Sequence, residues 1–570
     1  MNRKYAILLF LILFVTRASA TIQLPAIIGD NMVVQRNAKV PIWGKATAGQ
    51  KIQIVFLNRT FTCMTGPDGK WSVRLATYPS GGPYQMLIKA GSEEIIIQNI
   101  LIGDVWLASG QSNMEFGIQN EANGAAAISN ATDKFIHFFF VPMTFALQPQ
   151  DGTAPTDPDS PNGKWVMCSP RLMADPKWAW HGFSAVGYYF AQQVRLTQKC
   201  PVGMIASYKG GTPAQAWISE AGLKKEPAFE KYISARQTLI AEFGQANAAY
   251  PQQLADYRKA LEIWRTEVGN SFDKENKQWE AITAQAKANG QAVPPAPKPV
   301  RPAPQSPPQP AGGFSAPANL YNAMIAPVVQ YGIKGVIWYQ GESNGDRLAD
   351  AVEYKDLFPR LINDWRIQWK QPDLPFLFVQ LANFRVSAKT PSEGNWPWVR
   401  EAQRQALSLP KTGMAVITDV GNADNIHPTN KVDVGLRLAL AARHVVYGEN
   451  IVFSGPDYRS YVVEGRKIRI RFKQTGRGLV IDTVRHPGGV ELEGFGIAGA
   501  DGRFVWAKAT LDGNTVLVSS EQIANPVAVR YNWADNPPGN LYNKEGLPAS
   551  PFRTDDWAPA LVVPNTRPGN

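Results

Sequence analysis

Cysteine is nearly absent from this 570-residue chain, which has only Cys63, Cys168 and Cys200. Three cysteines cannot build a disulfide framework or a Cys-rich zinc site, and at most two can pair within the chain. Histidine is scarce as well, with five residues. Dense Lys/Arg blocks are missing. The formal net charge is +11, but the positive residues are scattered, and Arg3, Lys4 and Arg17 fall in the first twenty positions. No nucleic-acid partner or lipid-headgroup surface is expected from that pattern. There is no H-E-x-x-H, EF-hand loop, P-loop or dinucleotide fingerprint, so no metal or organic cofactor is signalled. No repeat of fixed period runs through the chain, which argues against a solenoid or a rod. Aromatic residues, by contrast, are plentiful: 17 Trp, 18 Tyr and 25 Phe must be buried, which a disordered chain cannot do.

The N-terminus has the layout of an export signal. Asn2-Arg3-Lys4 is a positive segment, Tyr5 to Val15 an apolar run, and Ala18-Ser19-Ala20 a small-residue cleavage site. The apolar run is short for a bilayer span, and no other stretch approaches the roughly 18 apolar residues such a span needs. The expectation is a leader over 1–20, cleavage before Thr21, and an exported chain, periplasmic or extracellular, with no membrane insertion after cleavage. Oligomeric state is left open.

Residues 21–100 read as short strands separated by turn clusters such as Gly66-Pro-Asp-Gly69, a pattern that predicts a small β-sandwich. Over 101–448 the pattern changes. Near-continuous apolar runs, Val105–Ala108, Val202–Ala206, Gly335–Tyr339, Pro375–Val379 and Met414–Ile417, each end in a polar loop, and helical patterns follow. Such runs predict a parallel α/β sheet buried on both faces, which binds ligands at the carboxyl ends of its strands. This unit is interrupted over 221–313. There, apolar residues at helical spacing predict a helical hairpin or pair, and Pro294 to Pro310 predicts a stiff extended connector. From 449 to 570 the chain again reads as β-rich.

Of the five histidines, His137 lies in an apolar run and His444 on a predicted helix, while His181 and His486 sit in loops without an obvious acid. His427 differs: Asp424-Asn-Ile-His-Pro428 follows a buried strand, and an Asp three residues before a His can orient its ring as a base. A matching nucleophile is Ser112, in the turn Ser109-Gly-Gln-Ser-Asn-Met114 after another strand. A serine at such a turn sits beside backbone N–H groups able to receive an oxyanion. Position 114 is Met, so this is not a Gly-x-Ser-x-Gly elbow. Gly210 or Gly211 permits close backbone approach in a second loop, and Gln340 or Asn344 offers a side-chain amide in a third.

Five blocks carry a resemblance: Gly103-Asp-Val-Trp-Leu-Ala-Ser-Gly-Gln-Ser-Asn-Met114, Lys209-Gly-Gly-Thr-Pro-Ala-Gln-Ala-Trp217, Leu320-Tyr-Asn-Ala-Met-Ile-Ala-Pro327, Trp338-Tyr-Gln-Gly-Glu-Ser-Asn344 and Asn425-Ile-His-Pro-Thr-Asn-Lys431. Together they resemble the sialate O-acetylesterase family of the SGNH hydrolase superfamily, and the likeness extends to Asn31-Met-Val-Val-Gln-Arg36 and Val529-Arg-Tyr-Asn-Trp-Ala-Asp535. The resemblance implies a flavodoxin-like catalytic sheet and a serine esterase acting on an acetylated sugar or glycan without a cofactor. By the same resemblance Ser112 is the nucleophile, His427 the base and Asp424 its orienting acid, with Glu342 as the alternative acid. The Ser112 amide, Gly210 or Gly211, and Gln340 would serve the oxyanion. Trp217, Tyr321, Trp338 and Asn344 are candidates for contacting substrate, and core packing is the competing reading for each aromatic.

Three rival readings stand beside this one. The same mechanism could act on acetylated xylan or other plant glycans. A glycosidase would use Glu115 and Glu342 as paired carboxylates about 5–9 Å apart, but leaves Ser112 and His427 idle. A non-catalytic glycan-binding protein would need neither Ser112 nor His427, and both are present.

Overall fold

The computed structural model describes residues 22–157, 159–175, 183–391, 393–484 and 490–559. The expected leader and the loop histidines His181 and His486 lie outside these residues.

At the centre is a mixed sheet. Its main path runs Thr412–Ala415, Phe376–Val379, Gly335–Tyr339, Glu93–Gly110, Val202–Tyr208, Ile136–Phe140 and Trp165–Met167. All neighbours on this path pair parallel except the last, where Trp165–Met167 runs antiparallel to Ile136–Phe140. Four of these strands are buried along their whole length, as apolar runs without alternation require when helices cover both faces. Gly110 pairs with Tyr208 on one side and Tyr339 on the other, so three strands end at one level and their loops emerge together. The five polar loops seen in the sequence all leave from carboxyl ends of this sheet.

The N-terminal strands are not separate from it. Glu93–Gly110 is one unbroken 18-residue strand. Its first half pairs with Gly81–Ala90 and with Val33–Gln35, and its second half is the middle of the α/β sheet. The expected boundary at residue 100 therefore falls inside a strand, and a single hydrophobic core runs from Ile42 and Ile54 to Trp338 and Leu438. After residue 449, antiparallel strands build two four-stranded sheets and a two-stranded one around a core of their own, which includes Ile468, Phe495 and Phe552.

The inserted segment corrects the expectation of paired helices. Glu230–Trp264, the π-helical turn Arg265–Gly269 and Asn270–Ala288 follow one another as continuous helix. The return arm is the proline-rich segment. Trp279 donates its indole N–H to the Pro294 carbonyl (2.9 Å), Trp264 to that of Arg301 (3.0 Å), and Gln309 reaches Tyr250 (2.7 Å). Gly312 lies against Leu239. The lengths match: Leu239 to Trp279 spans roughly 60 Å of helix, and Pro294 to Gly312 roughly 56 Å of polyproline II. A second helix would need twice as many residues to make the same return.

Candidate active site

Gly110 ends its strand at φ +134°, and a Cβ there would sit 2.1 Å from the Tyr339 carbonyl oxygen, so only glycine lets the chain turn between the two strands. Gln111 then accepts at its side-chain oxygen from the amides of Gly341 (3.3 Å) and Ser343 (3.2 Å), tying the first loop to the third. The next residue, Ser112, opens the short helix Ser112–Glu115. Its hydroxyl lies 2.9 Å from Nε2 of His427, across 315 residues of chain. Burial first, and the nearby Lys431 ammonium second, bring the His427 imidazole down from 6.5 to about 4, so the ring is neutral and able to take a proton near neutral pH.

The structure brings Ser112 and His427 together and leaves Asp424 at the exposed edge of the loop. Glu342 is buried, with Oε1 accepting from the Asn113 side chain at 2.6 Å and Oε2 without a partner. Burial holds its carboxyl above the usual range.

Several site expectations need correction. Gln340 does not face the nucleophile: it is fully buried, and its amide donates to Asn344 (2.8 Å) and the Thr212 carbonyl (3.3 Å) while accepting from Tyr354 (2.9 Å). The Gly210 amide donates to the Glu115 carboxylate at 2.5 Å. Among the described residues the amides of Gly211 and Ser112, like those of Asn113 and Thr212, donate no hydrogen bond to another loop or strand. Trp217 and Trp338 are interior residues in edge-to-face contact, with centroids 6.0 Å apart. Trp217 fastens the glycine loop by donating to the Thr212 hydroxyl (3.0 Å). Asn344, also buried, accepts from the Ala214 amide (2.9 Å) and donates to Gln215 (3.2 Å). Tyr321 is buried in the π-helical turn Tyr321–Ile325. These four are buried and do not line an open surface: Trp338 lies in the strand Gly335–Tyr339, and Trp217, Tyr321 and Asn344 lie in short helical turns packed beneath the loops. His137 is a core histidine bonded to the Asn31 and Lys134 carbonyls, and His444 stacks on Phe453. All three cysteines are free.

Two residues in the quoted blocks had no role assigned from sequence. Asn113 donates to Glu342 and to the Ile426 carbonyl (3.0 Å), and Lys431, fully buried, donates to the Asn113 side-chain oxygen at 2.6 Å. The signal was their place beside Ser112 and His427. Among the described residues, no group of three or more His, Cys, Asp or Glu converges as a metal site, and no helix is long and apolar enough to cross a membrane.

Residues 311–444, which include Glu342 and His427, match the carbohydrate esterase family described as sialic acid-specific acetylesterases. The sialate O-acetylesterase of Mus musculus is 28% identical over 483 residues, 79% of this chain and 79% of that protein. That of Homo sapiens is 27% identical over 463 residues, covering 75% and 72%. The crystal structure of a carbohydrate acetylesterase from Xanthomonas citri is 34% identical and superposes with a TM-score of 0.73, covering 94% of this chain and all of that one. The chain is a carboxylic ester hydrolase, and it belongs to the sialate O-acetylesterase family of carbohydrate esterases.

Proposed function

We propose that this chain is an exported SGNH-type serine esterase that removes O-acetyl groups from sugars, sialic acid first among them, through an acetyl-Ser112 intermediate. The observation that carries the reading is the 2.9 Å approach of the Ser112 hydroxyl to a neutral His427 at the carboxyl edge of the sheet. Ser112 Oγ attacks the acetyl carbonyl as its proton passes to His427 Nε2. The amides of Ser112 and Gly211, neither of which is engaged elsewhere, are the proposed donors to the oxyanion. His427 then protonates the departing sugar oxygen. Water, deprotonated by the same ring, attacks the acetyl-serine and releases acetate. Asp424 is the orienting acid of choice because it shares the loop of His427. Glu342 is the alternative acid, reaching the base loop through Asn113, which also donates to the Ile426 carbonyl.

The sialic acid preference rests on the curated relatives and on the family matched by residues 311–444. The test is acetate release by wild type and Ser112→Ala, with 9-O-acetylated sialic acid and acetylated xylan in parallel. Release from the sialoside that is lost in the variant supports the whole reading. Release from xylan alone retains the mechanism and replaces the substrate. Equal release by both proteins removes Ser112 from the chemistry. Export is tested separately, by whether the mature chain recovered outside the cytoplasm begins at Thr21.

A further inference from the structure

The Lys431 ammonium is an uncommon feature. It is fully buried, and the only hydrogen bond it makes among the described residues is to Asn113. It packs over the rings of Phe116 (4.6 Å) and Tyr339 (5.5 Å). The charged groups that face it are Glu342 from the turn after Gly335–Tyr339, Glu121 from the segment after Ile118–Asn120, and His427 from its own loop. It forms no ion pair with either glutamate among the described residues. Its link to Glu342 runs through the Asn113 amide.

A carboxamide has two ends of nearly equal shape and opposite polarity. An ammonium can only donate, so Lys431 dictates that Oδ1 of Asn113 turns toward it. The NH2 end must then face Glu342 Oε1 (2.6 Å) and the Ile426 carbonyl (3.0 Å), both of which can only accept when Glu342 is ionised. Only one orientation satisfies all three partners. Asn113 follows the nucleophile in the chain, and Ile426 precedes the base.

We infer that Lys431 is a positioning residue for the esterase: by fixing the Asn113 amide between Glu342 and the Ile426 carbonyl, it holds Ser112 and His427 in register. This rests on the assignment of Ser112 and His427 given above. A second effect is electrostatic. Burial brings Lys431 down to about 7, so it stays charged through the acid range, where its charge opposes protonation of His427.

The experiment compares wild type, Ser112→Ala, Lys431→Met and Lys431→Arg, with p-nitrophenyl acetate as a small substrate. Lys431→Met is expected to lower kcat by about 10- to 100-fold, the effect of a small misplacement of reacting groups. KM should stay within about twofold, since Lys431 does not touch substrate. The acid limb of kcat/KM should move to higher pH, toward the ordinary histidine value, and Lys431→Arg should restore the wild-type limb. A general loss of packing would lower activity without moving the limb. Wild-type kcat and an unmoved limb in Lys431→Met would overturn the inference while leaving the Ser112 reading intact. Unchanged activity in Ser112→Ala would instead defeat that reading. If Lys431→Met does not fold, Lys431→Gln decides, since it keeps a donor for Asn113 without the charge: a raised acid limb with kcat near wild type is expected, and an unmoved limb with kcat lowered as far as a general loss of packing would lower it overturns the inference.

Discussion

At the residue scale, the proposed chemistry depends on one hydroxyl and one ring. Ser112→Ala should reduce acetate release by at least about 1,000-fold, the usual consequence of losing a serine nucleophile. Melting temperature should hardly change, since a single half-buried oxygen is removed. The imidazole sets the pH dependence. With His427 at about 4 in the folded chain, the acid limb of kcat/KM should fall in the region of pH 4. The sign for stability follows from proton binding. Between 6.5 and about 4 the unfolded chain takes up a proton at this position that the folded chain refuses, so the contribution of His427 to stability is complete above 6.5 and is lost as pH falls. Activity profiles and urea midpoints from pH 4 to 8 check both statements.

At the scale of elements, the site is a set of strand ends joined across their loops. Gly110 allows the first turn and Gln111 clamps the third loop, so the nucleophile turn and the Gln340–Asn344 turn form one unit. Gly110→Ala should destabilise the fold by about 2–4 kcal/mol, through overpacking against the Tyr339 carbonyl and a left-handed φ that an L side chain resists. A lowered urea midpoint with an unchanged m-value is the expected readout. The inserted helix is built differently. Of its first 35 residues only Tyr232, Ile233 and Arg236 are buried, all near its start. Its length is supported by the proline-rich arm that runs back along it.

At the scale of the whole molecule, the C-terminal region supports the base. The Arg400 guanidinium, fully buried, donates to the carbonyls of Leu381, Ala382, Ala534 and Asp535. Burial lowers it to about 10, so it remains charged. It thereby joins the loop after Phe376–Val379 to the segment Trp533–Asp535. That loop in turn holds the base loop: Asn383 accepts from the Gly421 amide (2.7 Å), and Arg385 donates its amide to the Ala423 carbonyl (3.0 Å). Arg400→Leu leaves four carbonyls without their donor and should cost about 3–5 kcal/mol. Faster protease cleavage within 383–395, together with lower esterase activity, would mark the loss of this support. Unchanged cleavage and activity would show that the two regions do not depend on each other.

The sequence by itself determined the sheet, its five polar loops and the pair Ser112 and His427. Each of these is written locally: a buried strand in an unbroken apolar run, a turn in its glycine, and a scarce histidine in its neighbours. Tertiary structure alone decided which side of each loop faces the nucleophile. Trp217, Trp338, Gln340 and Asn344 sit in the same blocks as candidate site residues, yet they are buried: Trp338 by strand register, and the others by the turns that follow the strands. The Gly210 amide was open in sequence and is engaged by Glu115 in space. The Lys431–Asn113 contact joins residues 318 apart, and no local pattern encodes a bond of that separation. It exists because parallel strands deliver distant loops to one edge of one sheet.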